Sequence, residues 1–247
     1  MRILLLNPNT TEAVTTLMAD AGRAAAGHGV EVKAVTAQRG LPYITNRAEA
    51  QIAGAVALEM LAEMRGSFDA AILAAFGDPG LMGARELFDF PVIGVSEAAM
   101  LTACMLGGRF LIVTFTGALT GWYRDCVAMH RLESRCAGVV ALDREFGALE
   151  DTREANWPAL VDLANEAVAR RDADVAILAG APLAGLAARA RDLISVPVVE
   201  PIAAAVKQAE ALLALRTVKA TSGSFRRPGP KASSGLATKL ADYLEHA

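Results

Sequence analysis

The chain has 247 residues, 53% of them hydrophobic and 21% charged, with a formal net charge of −3. That is enough apolar material for one large core or two smaller ones packed together. It leaves no basic field for a phosphate backbone, so nucleic acid is not an expected partner. Cys104, Cys126 and Cys136 make neither a disulfide framework nor a zinc-ligand spacing, and a reducing, cytoplasmic setting is expected.

Taken in chain order, the apolar run at 3–6, bounded by Arg2 and by Asn7-Pro8, is too short for a leader or a membrane span and reads as a first buried strand. Further β-branched runs at 30–35, 70–75, 92–95, 110–115, 139–142, 175–179 and 196–199 alternate with Ala-rich stretches. Those stretches, at about 10–22, 46–64, 97–106, 118–129, 157–171, 183–192 and 202–215, predict crossover helices between parallel strands. Beyond Arg216 the pattern stops. Thr221-Ser-Gly-Ser-Phe-Arg-Arg-Pro-Gly-Pro reads as an extended loop before a last helix at 234–243, a tail able to fold back over the other lobe.

An internal repeat organises these elements. Asp69-Ala-Ala-Ile-Leu and Asp174-Val-Ala-Ile-Leu each run into a Gly/Pro turn, then an Ala/Arg helix, then a strand entered through proline, Pro91 or Pro197. The offsets from aspartate to proline differ by one residue. The expected fold is α/β, with two pseudo-symmetric Rossmann-like lobes, parallel sheets and an inter-lobe cleft. Residues 1–95 with 203–247 form the first lobe and tail, and 96–202 the second. The cleft gathers the carboxyl ends of the strands, where open α/β sheets bind ligands.

Candidate site residues follow the strand ends. Asn7, Asn9 and Thr10, in Asn7-Pro8-Asn9-Thr10-Thr11-Glu12, either cap a helix or bind a carbonyl or carboxylate oxygen. Phe76-Gly77-Asp78-Pro79-Gly80 offers sharp turns and exposed amides, with Asp78 either a cap for the following helix or an acid–base group. Ser96 and Glu97 open another helix, and Thr114 and Thr116 close a strand with hydroxyls able to donate to an oxyanion. Cys104 and Cys126 read as packing residues, and His28, His130 and His246 as structural or surface groups. No phosphate loop or ligand cluster calls for a cofactor or metal.

Several pieces in order resemble the aspartate/glutamate/hydantoin racemases, especially the hydantoin and allantoin racemase branch: Arg2-Ile-Leu-Leu-Leu-Asn-Pro-Asn-Thr, Pro42-Tyr43-Ile44, Phe76-Gly-Asp-Pro-Gly-Leu, Ser96-Glu-Ala-Ala and Leu178-Ala-Gly-Ala-Pro-Leu-Ala-Gly-Leu. The resemblance implies two lobes, each carrying a cysteine at an equivalent strand end, one removing a proton from a carbon acid and the other returning it to the opposite face. At those two places this chain has Ala75 and Ala181. Three readings stand: a pair altered to alanine, a natural branch running another reaction, or a binding protein.

The resemblance implies a cofactor-independent isomerase acting on a small cyclic amide or amino-acid-like carbon acid such as a 5-substituted hydantoin. Proton abstraction would proceed without the cysteine pair. Asp78, Glu97 and Thr116 are the candidate catalytic groups, and Asn7, Asn9, Thr10, Tyr43, Gly77, Ser96, Thr114, Gly180 and Pro182 the candidate substrate contacts. Hydrolytic ring opening, lyase chemistry or binding alone remain alternatives in the same pocket. The partner is a small molecule, with no nucleic acid and no membrane. A mean hydropathy of +0.34 leads to the expectation of a homo-oligomer.

Overall fold

Strand alternation decides the layering. The computed structural model describes residues 1–142 and 149–246, and of 149–155 the backbone alone. In strand β1 (Arg2–Asn7), Ile3 and Leu5 enter a central core while Leu4 and Leu6 enter an outer one. Successive side chains point to opposite faces, so a run apolar at every position is buried on both. β1 is one of the two inner strands of a parallel sheet ordered β2-β1-β3-β4, with β2 at Glu31–Thr36, β3 at Ala70–Leu73 and β4 at Val92–Gly94. The second sheet repeats this as β6-β5-β7-β8, with β5 at Phe110–Thr114, β6 at Cys136–Ala141, β7 at Val175–Leu178 and β8 at Val198–Val199.

The repeated aspartates explain why the two sheets are built alike. Asp69 accepts from the Arg2 amide at 2.8 Å, and Asp174 accepts from the Arg109 amide at 2.8 Å. Each carboxylate therefore ties the start of its lobe's first strand to the start of its third. The pairing continues with Ala74 N to Leu6 O and Ala179 N to Val113 O, both 2.8 Å.

Helices α1 (Glu12–Ala25), α4 (Val95–Leu106) and α8 (Pro201–Ala214) fill the space between the sheets, and their buried faces join the central core. α4 follows the first sheet yet packs on β5, β7 and β8, whereas α8 follows the second sheet and packs on β3 and β4. This exchange ties the lobes together. α2 (Arg47–Glu63) and α3 (Leu81–Leu87) cover the outer face of the first sheet, and α6 (Leu149–Arg171) covers that of the second. The last helix, α9 (Thr238–Glu245), packs on α2, with Leu240 and Tyr243 in the first lobe's outer core.

Boundaries differ from expectation where proline and glycine act. α6 begins before 157 and carries Pro158 inside it. The stretch expected at 183–192 is broken into a 3-10 turn, Ala181–Leu183, and a short α7, Ala187–Ala190, because Gly185 adopts φ +79. α5 runs Thr120–Met129. Among the described residues no helix is long and apolar enough to cross a membrane.

Candidate active site

The turns after β3 and β7 have the same construction. Ala75 O accepts from Asp78 N at 3.0 Å, and Gly180 O accepts from Leu183 N at 2.9 Å. Ala75 and, one residue further along its turn, Ala181 both line one inter-lobe cavity of about 190 Å³. That space suits a compact ring and is small for a nucleotide or dinucleotide.

Of the residues singled out in the sequence, Asn9, Tyr43, Thr116, Gly180 and Pro182 also line it. Asn9 is 6% exposed, and its Oδ1 is held by Asn7 Nδ2 at 2.9 Å and by the Thr11 amide at 3.0 Å. Its own Nδ2 is therefore the group it can offer a ligand. The loop carrying Tyr43 is pinned over the cavity by Thr10 N to Leu41 O at 3.0 Å and Thr11 Oγ1 to Pro42 O at 2.7 Å. Glu49 Oε2 takes the Thr45 amide at 2.6 Å, and Asn46 caps α2 through the Glu49 amide at 3.0 Å, a reciprocal cap that fixes the same loop.

The remaining candidates lie outside the cavity lining, each for a physical reason. Asn7 is fully buried and spends its amide on Asn9 and on Thr15 Oγ1 at 2.8 Å. Thr10 serves as the loop anchor just described. Gly77, at φ +112, has no room for a side chain: a Cβ there would stand 2.2 Å from the Trp122 ring. It lets that indole pack against the turn. Ser96 is buried and its hydroxyl accepts the Gly77 amide. Thr114 is fully buried beside Gly180, and its Oγ1 makes no hydrogen bond among the described residues. Burial pushes the neighbouring Tyr123 phenol well above its ordinary value, with Thr114 pulling the other way.

Asp78 and Glu97, the two carboxylates proposed for acid–base work, do not reach the cavity either. Asp78 is 2% exposed and accepts from the Ser96 and Glu97 amides, both at 2.9 Å, and from His130 Nε2 at 3.0 Å. It caps α4 across the turn and not α3, the helix that follows it in sequence. Glu97 pairs with Arg85 and lies 3.5 Å from His130 Nδ1. Burial works against its charge, but His130 and Arg85 outweigh it and hold the carboxyl down at about 2. Burial likewise opposes the His130 imidazolium, and the bonds from Asp78, Cys126 and Glu97 outweigh it, raising His130 to about 11. Cys126, pushed up to about 11 by burial and then by Asp78, is a thiol at neutral pH.

A pH prediction follows from this cluster. His130, raised above its ordinary 6.5, stabilises the fold fully below that value and loses its contribution as pH climbs toward 11. Glu97, lowered from 4.5, stabilises above 4.5 and loses its contribution as pH falls toward 2. Melting temperature should therefore plateau between about pH 4.5 and 6.5 and decline on both sides. His130→Gln should flatten the alkaline limb in a series of thermal melts, and an unchanged limb would contradict the assignment.

The aromatic wall is the part of the site that sequence reading missed. Phe76, Phe115, Trp122 and Tyr123 line the cavity, with Phe76 and Tyr123 centroids 4.7 Å apart. In a chain only 5% aromatic, the Trp122-Tyr123 pair soon after the end of β5 was the available signal.

Two pseudo-symmetric parallel lobes enclosing a small, largely apolar inter-lobe cavity define a two-lobed α/β protein of the racemase fold. The sequence model of the Asp/Glu/Hydantoin racemase family matches residues 3–209, and the chain belongs to that family. It is 31% identical to the hydantoin racemase of Paenarthrobacter aurescens, over 94% of this chain and 99% of that one. Among solved structures it is similar to allantoin racemase from Klebsiella pneumoniae, at TM-score 0.91 and 34% identity over 97% of this chain and 98% of that one. It is also similar to allantoin racemase from Pseudomonas fluorescens, at TM-score 0.88 and 31% identity over 95% and 100%.

Proposed function

We propose that the cavity between Ala75 and Ala181 takes a small cyclic amide with an acidic ring C–H, of the hydantoin or allantoin type. The protein acts on it as a racemase-family isomerase, by proton transfer at the ring carbon without a thiol pair. The observation that carries this reading is that the equivalent turns of the two lobes open on one cavity. The hydantoin and allantoin racemases similar to the chain supply the substrate class. Asn9 Nδ2 and the Thr116 hydroxyl are the donors for a ring carbonyl on its way to an enolate, and the aromatic wall keeps their field unscreened by water.

A second reading, binding without turnover, is favoured by one specific observation. Among the described residues lining the cavity there is no carboxylate, imidazole or thiol. The test is a melting-temperature shift with hydantoins and allantoin, run beside deuterium uptake at the ring carbon in heavy water. Enzyme action gives both; binding alone gives the shift without uptake.

The setting is proposed to be cytoplasmic, with no nucleic-acid or membrane partner and no cofactor. A homo-oligomer accounts for the exposed Leu101, Met105 and Leu106 on α4 and for Leu215 and Val218 after α8. Light scattering giving the 25.8 kDa of one chain would count against it.

A further inference from the structure

In both lobes a buried carboxylate stands at the start of the helix that follows the fourth strand. In the first lobe it is Asp78, whose carboxylate fills the space above Gly94, the N-cap of α4; a Cβ there would be 2.4 Å from it. In the second lobe the N-cap of α8 is itself the acid, Glu200, followed by Pro201 at the first helical position.

The two carboxylates differ in how they are satisfied. Asp78 has both oxygens occupied by amides and a histidine. Glu200 Oε2 accepts the Ala203 amide at 2.5 Å, but its Oε1 is closed off from solvent and makes no hydrogen bond among the described residues. Burial raises the Glu200 carboxyl above its ordinary value, against the amides of Ala203, Ile202 and Gly185.

Glu200 lines a second, smaller cavity of about 20 Å³, in which every other lining residue has an apolar side chain or none. This cavity shares Ala74, Phe76, Gly180 and Ala181 with the ligand cavity, so it lies directly behind Ala181 in the second-lobe turn. Its size admits one water, which Oε1 can hold.

We propose that Glu200 and one water held in this small cavity form the acid–base relay of the second lobe, standing in for the side chain that Ala181 lacks. The inference rests on the cyclic-amide reading of the main cavity. In the forward step the ring C–H bond breaks and its electron pair becomes the enolate of the adjacent carbonyl. The water takes that proton and passes one of its own to Glu200 Oε1. In the reverse step Glu200 Oε1 hands its proton back to the water, and the water delivers one of its own solvent-derived hydrogens to the same face of the ring. No comparable group lines the cavity beside Ala75 among the described residues, so exchange outruns inversion.

The experiment follows an optically pure 5-substituted hydantoin in deuterium oxide, by NMR for deuterium uptake and by polarimetry for inversion. Wild-type protein should take up deuterium at least about tenfold faster than rotation is lost, with a rate rising through a pH above the usual carboxylate range. Glu200→Gln keeps an oxygen for the Ala203 amide; it should lose about 100-fold or more of the exchange rate and its pH dependence, while hydantoin still raises its melting temperature. Glu200→Asp should retain the pH dependence at a reduced rate. If the glutamine variant does not fold, the wild-type ratio of uptake to inversion and its pH profile decide. Equal rates of uptake and inversion, a glutamine variant with the wild-type rate and profile, or binding with no uptake would overturn the relay and leave the cavity reading intact. Neither a melting shift nor uptake with any hydantoin or allantoin would overturn both.

Discussion

Replacing Asp78 by alanine should destabilise the protein by about 3–5 kcal/mol, the usual cost of leaving a buried charge without its partner. The carboxylate is 2% exposed and serves three donors: the Ser96 and Glu97 amides at the start of α4 and the His130 imidazole. Its loss would strand two helix-end amides and leave His130 to Glu97 and Cys126. In a chain of this size each kcal/mol moves the melting temperature by roughly 2–4 °C, so a drop of roughly 6–20 °C is expected. Asp78→Asn, which can still accept one of the amides, should fall between. A variant that melts like wild type would show that Asp78 is not the cap and ion partner described here, and would return it to the list of acid–base candidates.

The second large effect is a gain. Ala75→Cys combined with Ala181→Cys should raise racemisation of a 5-substituted hydantoin by about 100-fold or more, the ordinary scale of placed acid–base groups. Both alanines are partly open to one cavity, so each added sulfur enters ligand space and not a packed core. With a thiol on each lobe, proton removal and return occur on opposite faces, and deuterium uptake should then match loss of rotation. Polarimetry and NMR on the double variant check this. A double variant that binds hydantoin yet gains nothing would show that the two alanines do not flank the reacting carbon.

The repeat was legible because its marks are local and made by the chain itself. Asp69 and Asp174 begin equivalent strands and each takes the amide at the start of its lobe's first strand, so two short segments of sequence already described two sheets. Asn9, Tyr43, Thr116, Gly180 and Pro182 were legible as cavity residues through their positions near strand ends and within family motifs. What stayed hidden were choices made across the fold. Nothing next to Asp78 reveals that its carboxylate turns away from the cleft to α4, because its partners lie at Ser96, Glu97 and His130. Glu97 is drawn off by Arg85 and the same histidine. The aromatic wall depends on Gly77 having no side chain, which lets Trp122 close over the turn from the other lobe. Glu200 lies just past the apolar run at 196–199, and its significance appears only when its unpaired oxygen is set beside the cavity behind Ala181.

The central claim is that the inter-lobe cavity between Ala75 and Ala181 is where a small cyclic amide binds. The most direct measurement is a crystal structure of the protein soaked with, or grown in, a 5-substituted hydantoin or allantoin. The expected result is a ring seated between the two alanine methyl groups, with a carbonyl oxygen on Asn9 Nδ2 or the Thr116 hydroxyl and one ring face against the aromatic wall. A ring bound instead elsewhere on the protein, or an inter-lobe cavity left without ligand at saturating concentration, would contradict it.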